Sequence, residues 1–144
     1  MSLPSTHTQY IFDERPTEDI APTTFKRETK STGDLEVGPG QVLVKVTRIS
    51  LDPAMRSWLA NNKRAYIPPV KLSEVMRAVG LGVVVKVGEG GKFSVWDEVS
   101  GRVHDQVAAL TRINPRHVST SWREYVVLDD KLVTKLPFVF CPAL

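Results

Sequence analysis

Apolar and polar positions alternate with a period of two along most of this chain, the pattern of half-buried strands. "TQYIF" (8–12) and "FKRET" (25–29) read as short strands separated by the Pro-containing turn "DERPTEDIAP". "GDLEVGPGQ" (33–41) is a loop punctuated by Gly and Pro. "VLVKVTRISL" (42–51) is the clearest strand, with Val42, Val44 and Val46 on one face and Leu43, Lys45 and Thr47 on the other. Further strands are predicted over 81–87, 98–103, 123–128 and 131–136, with a Gly-rich turn at 88–91. Many short strands with Gly/Pro turns predict a mainly β fold, a barrel or a sandwich.

The end of the clearest strand is unusual. "SLDPAMRSWL" (50–59) passes straight from apolar strand into Asp-Pro. Asp52 is suited to cap a helix, and Pro53 to be its first residue, where a missing N–H costs nothing. "PAMRSWLA" is then a turn or two of helix that gathers Met55, Arg56 and Trp58 on one short element. "NNKRAYIPPV" is a loop, because Pro68 and Pro69 exclude helix and disfavour strand.

Composition narrows the function classes. A chain of 144 residues, 42% apolar and 24% charged, fits one soluble globular domain. Its net charge of +3 comes from 19 basic and 16 acidic residues spread along the chain, so neither nucleic acid nor a membrane surface is an expected partner. No apolar stretch approaches the roughly 18 residues of a membrane span, and the N-terminus lacks the apolar core of a secretory signal. Cys141 is the single cysteine, with no CxxC or HExxH spacing, and His7, His104 and His117 are far apart. No metal site is therefore expected, and a reducing, cytoplasmic compartment is the default. Nor does any strand lead into GxGxxG and a long helix. "GEGG" (88–91) lies between two strands and reads as a hairpin turn rather than a phosphate loop.

Three stretches together carry a resemblance: "LDPAMRSWL", "AYIPPVKLSEVMRAVGLGVVVKVGEGGKFSVWDEVSG" and "WREYVV". From about Tyr10 onward the chain resembles the N-terminal, GroES-like catalytic domain of zinc-independent medium-chain dehydrogenase/reductases. Within that superfamily it is most similar to the NADPH-dependent alkenal double-bond reductase and prostaglandin reductase group. The resemblance implies a partly open β-barrel with one or two short helices, spanning 1–144. It implies a partner Rossmann domain, hydride transfer from NADPH to the β-carbon of an α,β-unsaturated carbonyl, and a small hydrophobic enone or alkenal as substrate. Zinc is not expected, since Leu51-Asp52-Pro53 occupies the neighbourhood where zinc-dependent relatives carry Cys.

The resemblance also assigns residues. Pro53, Met55 and Arg56 would approach the nicotinamide, with Met55 an adaptable wall and Arg56 paired with an acid or reaching an anionic cofactor group. Tyr66 would hydrogen-bond the enone carbonyl and stabilise the developing enolate. Each has a plainer alternative: core packing for Met55 and Tyr66, a structural ion pair for Arg56. Ala54 stands where the family carries Tyr, which would widen the pocket.

Other departures matter. No Rossmann unit follows within the chain, so no NADP(H) binding is expected from these residues alone, and an unpaired strand edge offers a route to a homodimer. Trp96 occupies a position where the family places Gly. Trp is expected to refuse a positive φ there, so that the turn is rebuilt or the indole packed, either locally or as part of an interaction surface. The stretch "RVHDQVAALTRINPRHVSTS" (102–121) reads as an insert, either a surface excursion or a lid bringing His104 and His117 to an acidic substrate. Two further readings stand beside the reductase domain: a cofactor-independent isomerase or cyclase using Tyr66, His104 and His117 as acid/base groups, and a non-catalytic interaction module.

Overall fold

The computed structural model describes residues 2–62, 64, 68–101 and 122–137. Its strands are β1 (Thr6–Phe12), β2 (Phe25–Ser31), β3 (Gln41–Ile49), β4 (Gly80–Val87), β5 (Glu98–Gly101), β6 (Tyr125–Asp129) and β7 (Val133–Lys135). β1 and β2 form an antiparallel hairpin with Thr6 opposite Ser31 and Phe12 opposite Phe25. The other strands make one antiparallel sheet in the order β6-β3-β4-β5-β7.

That order dictates a curl. β6 and β7 lie at opposite edges, yet only the 3₁₀ turn Asp130–Leu132 separates them in the chain. A flat sheet cannot bring its two edges within a single turn of chain, so the sheet rolls into a half-barrel. Its interior is lined by Val42, Val44, Val84, Val99, Val126, Leu128 and Val133, all buried. Branched side chains of one size suit a pleated, inward-facing wall. This is the partly open GroES-like barrel that the resemblance implied.

Two details depart from simple alternation. Leu43 is as fully buried as Val42 and Val44, so β3 is covered on both faces at its start. The β3–β4 register also shifts between Leu43 and Val44 and again between Val46 and Arg48, which bends the strand as it leaves the barrel. Close approach explains Gly82 and Gly88. A Cβ at Gly82 would strike the Val44 side chain and the Lys45 carbonyl, and one at Gly88 would strike the Gly38 carbonyl. The 88–91 turn is locked to the loop before β3, Gly88 N–H donating to Gln41 O at 2.8 Å and Gly40 N–H to Glu89 O at 2.9 Å.

A second core lies under the 3₁₀ helix Pro53–Leu59, where Phe12, Met55, Trp58, Leu59, Val70, Met76 and Ala78 are packed together against Phe25 and Trp122. It is assembled from separate parts of the chain. Segment 73–76 adds to the outer edge of β1, Phe12 N–H donating to Glu74 O at 2.8 Å and Met76 N–H to Tyr10 O at 3.0 Å. Arg15 clamps the loop ends, donating 2.8 Å bonds to Leu59 O and Val70 O while lying over the Phe12 ring. Arg77 lies over Trp58 and donates to Pro68 O at 2.7 Å.

Trp96 corrects the sequence reading. It does adopt a positive φ, 78°, and its indole is 64% exposed rather than packed. The backbone around it explains why. Trp96 N–H donates to Val84 O at 2.8 Å, Asp97 N–H to Ser94 O at 3.1 Å, and Ser94 N–H to the Asp97 carboxylate at 2.9 Å. That carboxylate also meets Lys135 Nζ at 2.6 Å, which holds it below the usual carboxylate range. These bonds over-determine the turn and hold a residue that would otherwise avoid the left-handed region. Among the described residues, no helix is long and apolar enough to cross a membrane.

Candidate functional site

The Asp-Pro junction forms as the sequence predicts. Asp52 is extended (φ −118°), its Oδ1 accepts the Ala54 N–H at 2.7 Å, and Pro53 opens the helix. The Asp52 N–H in turn points to Met55 Sδ at 3.3 Å. This reciprocal cap turns Met55 inward, to 7% exposure within the second core, and leaves Pro53, Ala54 and Arg56 exposed. Met55 therefore serves as packing here. Tyr66, His104 and His117 lie outside the described residues, as does the whole 102–121 stretch.

A concavity sits just upstream of that junction. It is an open groove of about 480 Å³ where the end of β3 meets β1, β2 and segment 122–124. Tyr10, Ile49, Leu51 and Trp122 supply apolar walls, and Arg27, Arg48, Arg123 and Glu124 are its charged lining residues; the Arg123 side chain shares the face of its bridge partner Gln9 and acts on buried His7. Three of these apolar residues are unusually open for their type: Leu51 at 67%, Tyr10 at 40% and Ile49 at 39%. None of residues 53–56 lines the groove; Leu51, two positions upstream of Pro53, is the link between them.

Backbone pairing fixes the groove floor. Tyr10 N–H donates to Trp122 O at 2.8 Å, Trp122 N–H to Met76 O at 2.8 Å, and Glu124 N–H to Thr8 O at 3.0 Å. Gln9 and Arg123 stand opposite each other in an antiparallel bridge. The Trp122 ring packs on Phe25 at 4.7 Å between centroids and meets Tyr10 edge-on at 6.3 Å, so this wall is continuous with the second core. Burial lowers the pKa of the half-buried Arg123 guanidinium, and its enclosed Nε–H has no acceptor. The Trp122 Nε1–H is likewise enclosed without an acceptor. Beneath them His7 is buried edge-on to Tyr125; burial first, then the Arg123 charge, pulls its pKa below the ordinary histidine value.

The sequence reading quoted "WREY" as part of a resemblance but assigned Trp122 and Arg123 no site role. The usable signal was a cation beside an aromatic at the start of a strand that pairs with β3, the strand leading to Asp-Pro. Nothing local in the sequence tied either residue to Tyr10 or Leu51, since β1 and β3 reach the groove through long-range pairing. Among the described residues, no three His, Cys, Asp or Glu side chains are grouped to hold a metal ion.

Comparisons with known proteins agree with this architecture. A family described as the N-terminal domain of oxidoreductase matches residues 8–114. CurA of Vibrio vulnificus, also solved in complex with NADPH, has a similar fold: TM-score 0.68 at 22% identity, over 85% of this chain and 30% of CurA. The Escherichia coli quinone oxidoreductase, solved with NADPH, is similar at TM-score 0.60 and 13% identity, over 90% of this chain and 33% of that enzyme. An uncharacterized membrane protein of Saccharomyces cerevisiae, YML131W, is 25% identical over 126 residues, 81% of this chain and 34% of the yeast protein. The chain thus spans about a third of the length of the proteins it matches. Its seven-strand arrangement, capped helix and family match lead to one conclusion: this chain belongs to the family of oxidoreductase N-terminal domains, with a GroES-like half-barrel fold.

Proposed function

We propose that this chain is the substrate-binding domain of an NADP(H)-dependent oxidoreductase that reduces the C=C bond of α,β-unsaturated carbonyl compounds. The observation that carries the reading is the apolar groove opening at the exit of β3, beside the Asp52-Pro53 cap, in a chain of this oxidoreductase family. That CurA and the E. coli quinone oxidoreductase were solved with NADPH supports the choice of cofactor. The cofactor would supply hydride from a separate nucleotide-binding domain. No strand–glycine loop–helix unit occurs among the described residues, and the 88–91 turn is filled by its own contacts with Gly38 and Gln41.

The chain's own residues then have limited tasks. Tyr10, Ile49, Leu51 and Trp122 bind the apolar body of the substrate and exclude water from it. Pro53, Ala54 and Arg56 form the exposed edge that faces the cofactor domain, and the Asp52 cap holds them in place. Tyr66 donates a hydrogen bond to the carbonyl oxygen, which favours the enolate.

The reading is tested by joining the chain to the nucleotide-binding domain of a related NADPH reductase. The expected result is NADPH consumption that requires an enone, with the saturated ketone as product by mass spectrometry. Allylic alcohol as the product would instead mean carbonyl reduction and overturn the reading.

A further inference from the structure

We infer that Arg15 is a positioning residue: its guanidinium holds the helix that faces the cofactor domain at a fixed place against the substrate groove. The inference rests on the reading of the groove as the substrate site and of Pro53, Ala54 and Arg56 as the cofactor-facing edge. It adds the residue that keeps the two in register.

The helix Pro53–Leu59 is mounted at both ends. Its N-terminus is tied to the groove by the chain itself, because Leu51, a groove residue, directly precedes the Asp52 cap. Its C-terminus has no such link. The last carbonyls of a helix lack an intrahelical donor and must find one elsewhere. Here Trp58 O accepts the Val70 N–H at 2.8 Å, and Leu59 O accepts an Nη1–H of Arg15, 44 residues away in sequence, at 2.8 Å. The other arm of the same fork, Nη2–H, donates to Val70 O, also at 2.8 Å. One rigid, half-buried group thus spans the helix end and the segment bonded to it.

The same guanidinium is coupled to the groove. Its central carbon lies 5.2 Å from the centre of the fully buried Phe12 ring. Phe12 meets Phe25 at 6.1 Å between centroids, and Phe25 meets Trp122, a groove wall, at 4.7 Å. Among the described residues no carboxylate pairs with Arg15. A cation committed to two carbonyls and a ring is a mount rather than a surface charge. Hydride transfer needs such a mount, since a misplacement of about 1 Å between reacting groups costs about a hundredfold in rate.

The test has two arms, both using Arg15→Lys, which keeps a charge near Phe12 but lacks the fork that serves both carbonyls at once. In the intact chain, hydrogen exchange at the Val70 amide should quicken about tenfold. A long-chain enone, followed by tryptophan fluorescence, should still bind within about twofold, because the groove walls keep their places. Joined to the nucleotide-binding domain of a related NADPH reductase, the variant should lose about tenfold in kcat, with KM for the enone nearly unchanged. The isotope effect from NADPH deuterated at its nicotinamide should rise, a change that lost stability alone would not produce. Should Arg15→Lys fail to fold, Arg15→Gln, with one uncharged amide donor, is expected to show the same split. An unchanged kcat, unchanged Val70 exchange, or parallel losses in binding and turnover overturn the inference while the substrate-groove reading stands. If the unsubstituted fusion reduces no enone, that reading fails and the inference with it.

Discussion

The half-barrel is lined by Val and Leu side chains that all sit on strands, whereas the cluster under the 3₁₀ helix draws Phe12 from β1, Met55, Trp58 and Leu59 from the helix, and Val70, Met76 and Ala78 from loop. The first is a repeating wall of nearly uniform volume. The second is a set of unlike shapes joined by cation–ring contacts and carbonyl clamps from Arg15 and Arg77. The second extends to the groove through the Phe12–Phe25–Trp122 ring contacts, whereas the first touches it through Val46 at the end of its wall. The barrel holds the fold and the aromatic cluster shapes the site, so changes in the two should separate stability from binding.

The largest effect is expected at Phe12. Truncation to Ala removes a fully buried ring and should cost about 3–5 kcal/mol in denaturant unfolding. In the folded fraction, groove ligands should weaken, because Trp122 loses its backing. Val84→Ala in the barrel should cost about 2 kcal/mol and leave groove binding unchanged. Equal loss of binding in both would erase the distinction. Gly88→Ala, forced against the Gly38 carbonyl, should cost about 1–3 kcal/mol by chemical denaturation, again without altering ligand affinity.

Asp52→Ala removes the helix cap and should cost about 1 kcal/mol, loosening the helix under which the aromatic cluster packs. Of similar size and opposite sign, Trp96→Gly should stabilise by up to about 1 kcal/mol, since glycine accepts the positive φ and the exposed indole contributes little. A pH series probes the groove floor. His7 has its pKa lowered in the fold, so the unfolded chain binds the proton more readily. Stability is then full above the unfolded value of 6.5 and falls as pH drops toward the lower folded pKa. His7→Asn should flatten the dependence of unfolding between pH 7 and 5.

The same contrast explains what the sequence revealed. Strand alternation, Gly/Pro turns and the Asp-Pro cap are local signals, and the strand positions, the capped helix and the barrel class were all legible in them. The predicted strand at 131–136 was partly helical: Asp130–Leu132 forms a 3₁₀ turn capped by the Asp129 side chain, a local choice that alternation cannot show. Trp96 was misread because the hydrogen bonds that hold its φ come from Val84 and from the Ser94–Asp97 turn, closed by Lys135 far along the chain. The groove was invisible for the same reason. Trp122 and Leu51 come to line one groove only once β6 pairs with β3, and neither stands out in a linear pattern.

The most direct measurement is a two-dimensional amide NMR titration of the 144-residue chain with a long-chain α,β-unsaturated ketone. Shifts concentrated at Thr8, Tyr10, Thr47–Leu51 and Trp122–Glu124 are the expected result. Shifts confined to the exposed Val95–Trp96 turn, or none at a concentration that saturates related reductases, would contradict the placement of the substrate site.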